Sequence, residues 1–504
     1  MAYPSEAFVA GYAAGLTQLV ARRLVSDLDT PVSAFLKLAG ARPYAFLLES
    51  VEGGDQLGRY SIIGLEPDAV WRWNGAGAEV NRAFQIDPEA FAAAPAAPLE
   101  SLKAFIDESR AAPPLGEPPL PPMSSGVFGF LGYAVARATE RLPDPPPAFA
   151  DLPDAVMMRP TLVAVFDNVR QEISIATPVR PVAGVAAAEA YLAATAKLDA
   201  AEARLAAAPA ETPHPRRAAM PTTALSPTSS MSHEAYESAV DAAKERIFAG
   251  DIFQVVLSQR FEAPFAGSPF SLYRALRRTN PSPFLFYLNF GAFALVGSSP
   301  EILVRVRDGD VTIRPIAGTR PRGRDADEDA ALADDLLADE KERAEHLMLL
   351  DLGRNDVGRS AKVGTVRVTD SFAIERYSHV MHIVSNVVGA LKDGAHPVDA
   401  VANGFPAGTV TGAPKIRAME IINELEVAAR GPYGGAIGYF SADGTVDTCI
   451  TLRTGLVMDG KLIVQAGAGI VADSDPAKEQ AECENKARAL FAAAEAALAL
   501  DSGT

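Results

Sequence analysis

The order of strand-like and helix-like segments constrains the fold of this chain more than any other feature. Short apolar runs bounded by turn residues predict strands within 31–80, at 45–50 and 59–65, and a hairpin formed by 161–167 and 172–178. Because strands and helices occur in mixed clusters rather than in strict alternation, the pattern predicts an α+β protein and not a doubly wound parallel sheet. Helical periodicity predicts helices at 99–110, 185–208, 232–249, 327–352, 412–429 and 476–498.

A segment rich in Pro, Ser and Thr divides the chain into two large parts. This segment, 211–231, has no hydrophobic periodicity and is typical of a linker. The sequence therefore predicts an N-terminal domain at 1–210 and a C-terminal domain at 232–504.

Charge and cysteine content exclude several classes of protein. The 63 acidic and 46 basic residues give a net charge of −17, which argues against a nucleic-acid binder and against binding to an anionic membrane. Two cysteines, Cys449 and Cys483, form neither a disulfide framework nor a zinc motif and indicate a reducing compartment. With no signal peptide and no apolar run approaching 18 residues, we expect a cytoplasmic protein.

Two predicted helices carry pairs of carboxylates. Glu342 and Glu345 are three residues apart, as are Glu479 and Glu482, and Lys486 follows four residues after Glu482. On a helix each pair shares one face, and two such faces together suit a hard cation such as Mg²⁺. From spacing alone, two ordinary solvated helix faces are the more common outcome.

Two glycine-rich segments suit an anionic ligand. The segment 405–420 combines glycines with Thr409 close to a helix start, and 465–476 places Gly467 and Gly469 in a predicted turn before the second carboxylate pair. Backbone N–H groups in such turns bind carboxylate or phosphate groups. The segment 405–420 lacks the pattern of a nucleotide-binding loop, and from spacing alone a ligand-free turn is the more common outcome.

Four further polar residues lie in apolar surroundings. Arg453, in an apolar strand-like run, suits a carboxylate, and Tyr433 offers a phenol. His382 can move protons near neutral pH, and Glu301 could act as a general acid if a pocket raises its pKa. For Tyr433 and His382 a structural role is the more common outcome, and Arg453 could instead form a buried salt bridge or face water from an edge strand.

Nine strings run in order from about 250 to 487 and together resemble the chorismate-utilising enzyme family, closest to its anthranilate-forming branch. They are GDIFQVVLSQRF, GSSPEIL, RPIAGTRPRG, DEKERAEHLMLLDLGRNDVGR, YSHVMHIVS, FPAGTVTGAPKIRAM, GPYGGAIGYF, DTCITLRT and GAGIVADSDPAKEQAECENKA. The N-terminal half is more loosely similar to the family's regulatory domain, through LLES, EGGDQLGRYSIIG and GFLGY. With this resemblance we expect mixed or antiparallel sheets that form a large sandwich with helices outside.

The resemblance implies a Mg²⁺-dependent lyase reaction. Ammonia adds to C2 of chorismate while the C4 hydroxyl leaves, and pyruvate is then eliminated to give anthranilate. By the matching motifs, the implied metal ligands are Glu345 and Glu482, supported by Glu342 and Glu479, and the implied catalytic residues are Glu301, His382 and Thr409. The implied substrate-binding residues are Gly318, Thr319, Tyr433, Arg453, Gly467, Ala468, Gly469 and Lys486.

Two positions favour the anthranilate-forming branch. Isochorismate and salicylate synthases typically carry a lysine, which activates water, where this chain has Gln254. Aminodeoxychorismate synthases often carry a lysine where this chain has Ala317. The large subunit of an aminodeoxychorismate synthase remains the alternative, and a non-catalytic protein that binds chorismate or tryptophan is the alternative from another class.

The resemblance also implies regulation and a partner. Glu49 and Ser50 resemble one wall of a tryptophan feedback site, and Pro283, Phe284 and Leu285 resemble the other. Because the chain has no candidate amidotransferase domain, we expect ammonia to come from glutamine through a separate subunit, in a heterotetramer.

Overall fold

The computed structural model describes residues 3–52, 56–113, 119–207, 224–377 and 380–502. Every strand pair in these ranges is antiparallel, which agrees with the predicted α+β class. The strands before residue 230 are Gln18–Val25 (β1), Ala45–Glu52 (β2), Gln56–Asn74 (β3), Gly77–Asn81 (β4), Ala92–Ala93 (β5), Gly126–Leu131 (β6), Ala155–Asp167 (β7), Glu172–Val179 (β8) and Thr228–Ser229 (β9).

The remaining strands are Gln254–Pro264 (β10), Phe284–Asn289 (β11), Phe293–Ser299 (β12), Ile302–Arg307 (β13), Asp310–Ile313 (β14), Ile316–Pro321 (β15), Arg367–Arg376 (β16), Val380–Ala390 (β17), Gly412–Ala413 (β18), Ala436–Ser441 (β19), Val446–Ile450 (β20), Thr454–Met458 (β21) and Lys461–Ile470 (β22). The helices are Glu6–Ala13 (α1), Pro31–Leu38 (α2), Pro98–Asp107 (α3), Ala187–Ala206 (α4), His233–Phe248 (α5), Pro269–Thr279 (α6), Ala326–Ala338 (α7), Glu340–Ser360 (α8), Pro397–Gly404 (α9), Lys415–Leu425 (α10) and Pro476–Ser502 (α11).

The strands form a sandwich with helices on its outer faces, as expected. Side chains alternate between the faces of a strand, and β2 illustrates this. Phe46 packs into an interior cluster formed almost entirely by strand residues. Its neighbour Leu47 points the other way, into a cluster that includes Phe35 of α2 and Leu198 of α4. The apolar period of two in each strand therefore stabilises both layers at once.

The N-terminal and C-terminal parts share one continuous sheet. Strand β2 pairs with β11, so that Ser50 lies opposite Phe284 and Glu49 opposite Leu285. Strand β6 likewise pairs with β19. The predicted boundaries at 210 and 232 stay predictions, since most of the linker lies outside the described residues.

The structure corrects several predicted elements. Residues 31–38 form helix α2 rather than a strand, because Thr30 caps the helix in a reciprocal pair with Ser33 and Pro31 occupies its first turn. The segment 327–352 is two helices, because Asp339 ends α7 and caps the start of α8 through its side chain. Helix 412–429 is shorter, since Gly412 and Ala413 pair with β10. The hairpin of β7 with β8 is confirmed.

Among the described helices, none combines the length and the apolar character that a membrane crossing requires.

Candidate active site

Glu301 is a buried carboxyl group held between two strands. It lies between β12 and β13 and is 5% exposed. Thr409 donates a hydrogen bond to its Oε1 at 2.8 Å, and the backbone N–H of Ile316 donates another. Burial raises the pKa of Glu301 to about 8, although both hydrogen bonds act to lower it. The site thus contains a carboxyl group that is largely protonated at neutral pH, as a general acid requires.

His382 lies on β17 and is fixed by strand β15. Its Nδ1 is 2.9 Å from the carbonyl oxygen of Gly318 and 3.1 Å from Oγ1 of Thr319. Because a carbonyl oxygen only accepts, Nδ1 carries the proton and Nε2 keeps its lone pair. Burial lowers the pKa of His382, and the charge of Arg453 lowers it further. The structure therefore holds a neutral imidazole whose Nε2 can act as a base.

The predicted carboxylates converge from α8 and α11. Burial raises the pKa of Glu345, and the charges of Glu342 and Glu482 raise it further. Burial also raises the pKa of Glu479, with Glu482 adding to the effect. The charge of Glu482 therefore acts on Glu479 of its own helix and on Glu345 of the other helix, and we call these three side chains and Glu342 the carboxylate cluster. Glu345 is largely buried, whereas Glu482 is 47% exposed and pairs with Lys486, and Glu342 pairs with Arg320.

The chemistry of this cluster is compatible with a hard divalent cation. In the ranges that the structure describes, no three His, Cys, Asp or Glu side chains form a metal site by themselves. Mg²⁺ commonly binds one or two carboxylates and completes its shell with substrate oxygens and water. Burial and then the charges of Glu342 and Glu482 raise the pKa of Glu345, and a cation would offset both effects. Lys486 lies beside the cluster, 2.7 Å from Glu482, and donates to the carbonyl oxygen of Gly467 at 2.8 Å.

The glycines at 467 and 469 lie inside strand β22 and not in a turn, which corrects the sequence prediction. A side chain at Gly467 would stand 2.9 Å from the phenol oxygen of Tyr433, and one at Gly469 would stand 2.6 Å from Nε2 of Gln254. Ala468 lies between them and is fully buried. The two glycines therefore make room for the side chains of Tyr433 and Gln254.

Arg453 faces the same region. It lies in the connection between β20 and β21 with φ of +46°, and not within a strand as predicted. Burial lowers the pKa of its guanidinium group. No ion pair or side-chain hydrogen bond to Arg453 exists within the described parts of the chain, so its charge is available to an anionic ligand.

Gly318 places the β15 backbone against the carboxylate cluster. Its φ is +74°, and a side chain there would stand 3.2 Å from Oε2 of Glu342. The register of β15 against β17 shifts between Ala317 and Thr319, which turns Thr319 toward His382. The segment 318–319 therefore contacts both His382 and the carboxylate cluster.

Gln254 is buried beside the cluster. Its Nε2 donates to Oε1 of Glu345 at 3.3 Å. Its Oε1 is buried and has no hydrogen-bond partner among the described residues.

Two contributions to the site had no signal in the sequence: the Ile316 backbone donor to Glu301, and Tyr377, whose ring lies 5.5 Å from that of His382. Both follow from strand register, which one sequence does not reveal.

The five residues predicted for an effector line one cavity of about 640 Å³. Its two predicted walls are the adjacent strands β2 and β11. The carboxylate of Glu49 is enclosed, because Arg277 binds it at 2.7 Å and Tyr273 donates a hydrogen bond to it. Ser50 is partly exposed on the same wall. Glu49 therefore holds the wall in place, while Ser50 is open to a ligand.

The sequence is similar to a known enzyme family and to full-length members of it. The family described as chorismate binding enzyme matches residues 62–492. A protein from Cereibacter sphaeroides named anthranilate synthase component 1 is 54% identical over 490 residues, which cover 97% of each chain. A Thermus thermophilus protein of the same name is 48% identical over 478 residues, covering 94% of this chain and 97% of its own.

The fold is also similar to that of solved structures. The crystal structure of anthranilate synthase component I from Streptococcus pneumoniae TIGR4 matches with a TM-score of 0.75 and 35% identity, covering 93% of this chain and 99% of that one. The isochorismate synthase MenF from Escherichia coli matches with a TM-score of 0.68 and 18% identity, covering 95% of both chains. At that identity the second match shows a common fold and nothing more.

Proposed function

The chain belongs to the chorismate binding enzyme family, and we propose that it is the large subunit of an anthranilate synthase. It converts chorismate and ammonia to anthranilate and pyruvate, the first step of tryptophan biosynthesis, in the cytoplasm. Full-length relatives that carry this name support the proposal.

The observation that carries the choice of reaction is the chemistry of two positions beside the catalytic groups. Gln254 contacts Glu345, and Ala317 precedes the Gly318 carbonyl that binds His382. Neither position carries an amine or another base. Without a lysine to activate water or to attack the ring, free ammonia is the nucleophile that this site favours.

We assign the following roles. Arg453, Tyr433 and the backbone of 467–469 hold the carboxylates of chorismate. Glu301, positioned by Thr409, protonates the leaving C4 hydroxyl. His382 then removes a proton through Nε2 during the elimination of pyruvate. Glu345 and Glu482, with Glu342 and Glu479 beside them, would hold Mg²⁺, which when bound neutralises the ring carboxylate.

The test is a fluorescence assay of the purified chain with chorismate, Mg²⁺ and ammonium, in which pyruvate is measured in parallel. Equal amounts of anthranilate and pyruvate are expected without any partner subunit. Consumption of chorismate without release of pyruvate would instead indicate an aminodeoxychorismate synthase. Binding of chorismate without consumption would indicate a non-catalytic protein.

We further propose a partner and an inhibitor. A separate glutamine amidotransferase subunit supplies ammonia, in a heterotetramer. Tryptophan occupies the cavity between β2 and β11 and inhibits the enzyme. The support for the second proposal is that both predicted walls line that one cavity.

Replacement of His382 with methionine is expected to slow the release of pyruvate about 100-fold or more, which is typical for loss of a general base. Amination should be slowed much less, since it does not use Nε2, so an amino intermediate accumulates. Chromatography of quenched reactions measures both species. His233→Met is the matched control, because His233 is 64% exposed on α5. Anthranilate formation at the normal rate in His382→Met would exclude this role.

Replacement of Ser50 with phenylalanine is expected to raise the tryptophan concentration for half-inhibition at least about tenfold, a loss of roughly 1.4 kcal/mol in binding. The added ring occupies part of the cavity that Ser50 lines. Turnover without tryptophan should stay close to that of the wild type. Ser238→Phe on the exposed face of α5 is the control. Inhibition of normal strength in Ser50→Phe would remove Ser50 from the effector site.

A further inference from the structure

The cavity that contains Ser50 continues to the back of the active site. Pro300 and Ile302, which line the cavity, are the two chain neighbours of Glu301. Ile316 also lines it, and the backbone N–H of Ile316 donates to the Glu301 carboxyl group. The general acid is therefore separated from the cavity by a single layer of protein.

A second part of the same wall contacts His382. The ring of Tyr377 lies 5.5 Å from the imidazole, centroid to centroid. The Tyr377 hydroxyl donates to Glu375 Oε2 at 2.8 Å, and Arg314 forms an ion pair with the other carboxylate oxygen of Glu375. All three side chains line the cavity. A continuous series of contacts thus runs from Arg314 through Glu375 and Tyr377 to the imidazole of His382. A ligand in the cavity can contact each of the first three side chains.

The backbone of Tyr377 is fixed, and its side chain contacts both the cavity and His382. Its N–H donates to the carbonyl oxygen of Val380 at 2.8 Å, and its carbonyl oxygen accepts from Arg322 at 2.7 Å. Movement of the Tyr377 ring therefore does not require movement of the strand.

We propose that Tyr377, held by Glu375 and Arg314, is a positioning residue for His382 and the element through which a ligand in the cavity acts on the active site. The inference rests on the proposed inhibition by tryptophan and adds its route. A packed wall transmits displacement instead of absorbing it, because protein interiors have low compressibility. A ligand that shifts the Tyr377–Glu375–Arg314 chain changes the position of the imidazole, and Ile316 extends the effect to Glu301.

Reciprocal binding measures this coupling. The dissociation constant of tryptophan is measured by titration calorimetry with and without chorismate, in the absence of ammonium so that anthranilate does not form. In the wild type we expect chorismate to weaken tryptophan binding by a factor of about 5 to 150, the usual range for linked sites. In Tyr377→Phe and in Glu375→Gln we expect this factor to fall to within about twofold of one. Binding of tryptophan alone is measured in each variant as well, so that the factor always compares two affinities of the same protein.

Tyr439→Phe is the matched control. Tyr439 is a buried tyrosine that lines the same cavity on β19, and it contacts neither His382 nor Glu301 among the described interactions. The coupling factor should stay at the wild-type value in this variant. Tyr377→Phe and Glu375→Gln alter the same hydrogen bond from its donor and its acceptor, so the test still stands if one of the two variants misfolds. Circular dichroism shows whether each variant is folded.

The outcomes separate this inference from the proposed function. Wild-type coupling in both Tyr377→Phe and Glu375→Gln overturns the route and leaves inhibition by tryptophan intact. Loss of coupling in Tyr439→Phe as well overturns it too, since any change in the cavity would then suffice. Failure of the wild type to bind tryptophan removes the proposed regulation, and the inference with it, while the anthranilate assay still reports on the reaction.

Discussion

Glu345→Gln and Glu482→Gln are each expected to reduce turnover of chorismate about a thousandfold. A bound cation contributes several kcal/mol of charge stabilisation, and about 4 kcal/mol corresponds to three powers of ten in rate. Glutamine keeps the shape of each side chain but removes the charge. In Glu482→Gln the charge of Glu482 no longer raises the pKa of Glu345, although burial, the larger cause, remains.

The metal role is distinguished from a merely structural one by binding. Titration of Mg²⁺ in the presence of chorismate should give a clear binding isotherm for the wild type and none for either variant. Glu340→Gln is the control, because Glu340 begins the same helix and is exposed. Full activity of the wild type after complete chelation of divalent ions would contradict the assignment, as would normal Mg²⁺ binding by Glu345→Gln.

The fold was predictable where local signals agreed with tertiary packing. The β7–β8 hairpin and helix α4 follow directly from period and turn residues in the sequence. Helix α2 was missed because apolar residues in its eight positions resemble a short strand, while its real signal is the cap formed by Thr30 and Ser33. The sharing of one sheet by β2 and β11 depends on contacts more than 200 residues apart, which periodicity does not encode.

The candidate site was predictable in its residue types and less so in its geometry. Helical spacing places each of the pairs Glu342/Glu345 and Glu479/Glu482 on one helix face, and the charge of Glu482 acts on Glu345 of the other helix. The turn predicted around Gly467 is a strand, because the segment pairs with β10. Glycine at this position makes room for the side chain of Tyr433 and does not form a bend. Contributions from backbone atoms, such as the Ile316 N–H, depend on the chain path and not on residue identity.

Glu301→Gln is expected to lower the rate of anthranilate formation by a factor of about 10² to 10⁴, the usual contribution of a general acid. The carboxamide oxygen still accepts the hydrogen bond from Thr409, so the loop geometry is retained. An amide does not transfer a proton to the leaving hydroxyl. Chorismate binding, measured separately by calorimetry, should change little. A rate close to that of the wild type would exclude Glu301 as the acid.

The pH dependence tests the same role through the protonation state. Because the pKa of Glu301 is raised to about 8, the protonated form predominates at neutral pH and is lost as the pH rises above that value. With free ammonia held constant at every pH, kcat/KM for chorismate should therefore fall on the alkaline side, and this limb should be absent in Glu301→Gln. Thr409→Val removes a hydrogen bond that lowers the pKa of Glu301, so the limb should move to higher pH. A limb that stays in place in Thr409→Val, or that persists in Glu301→Gln, would assign the titration to another group.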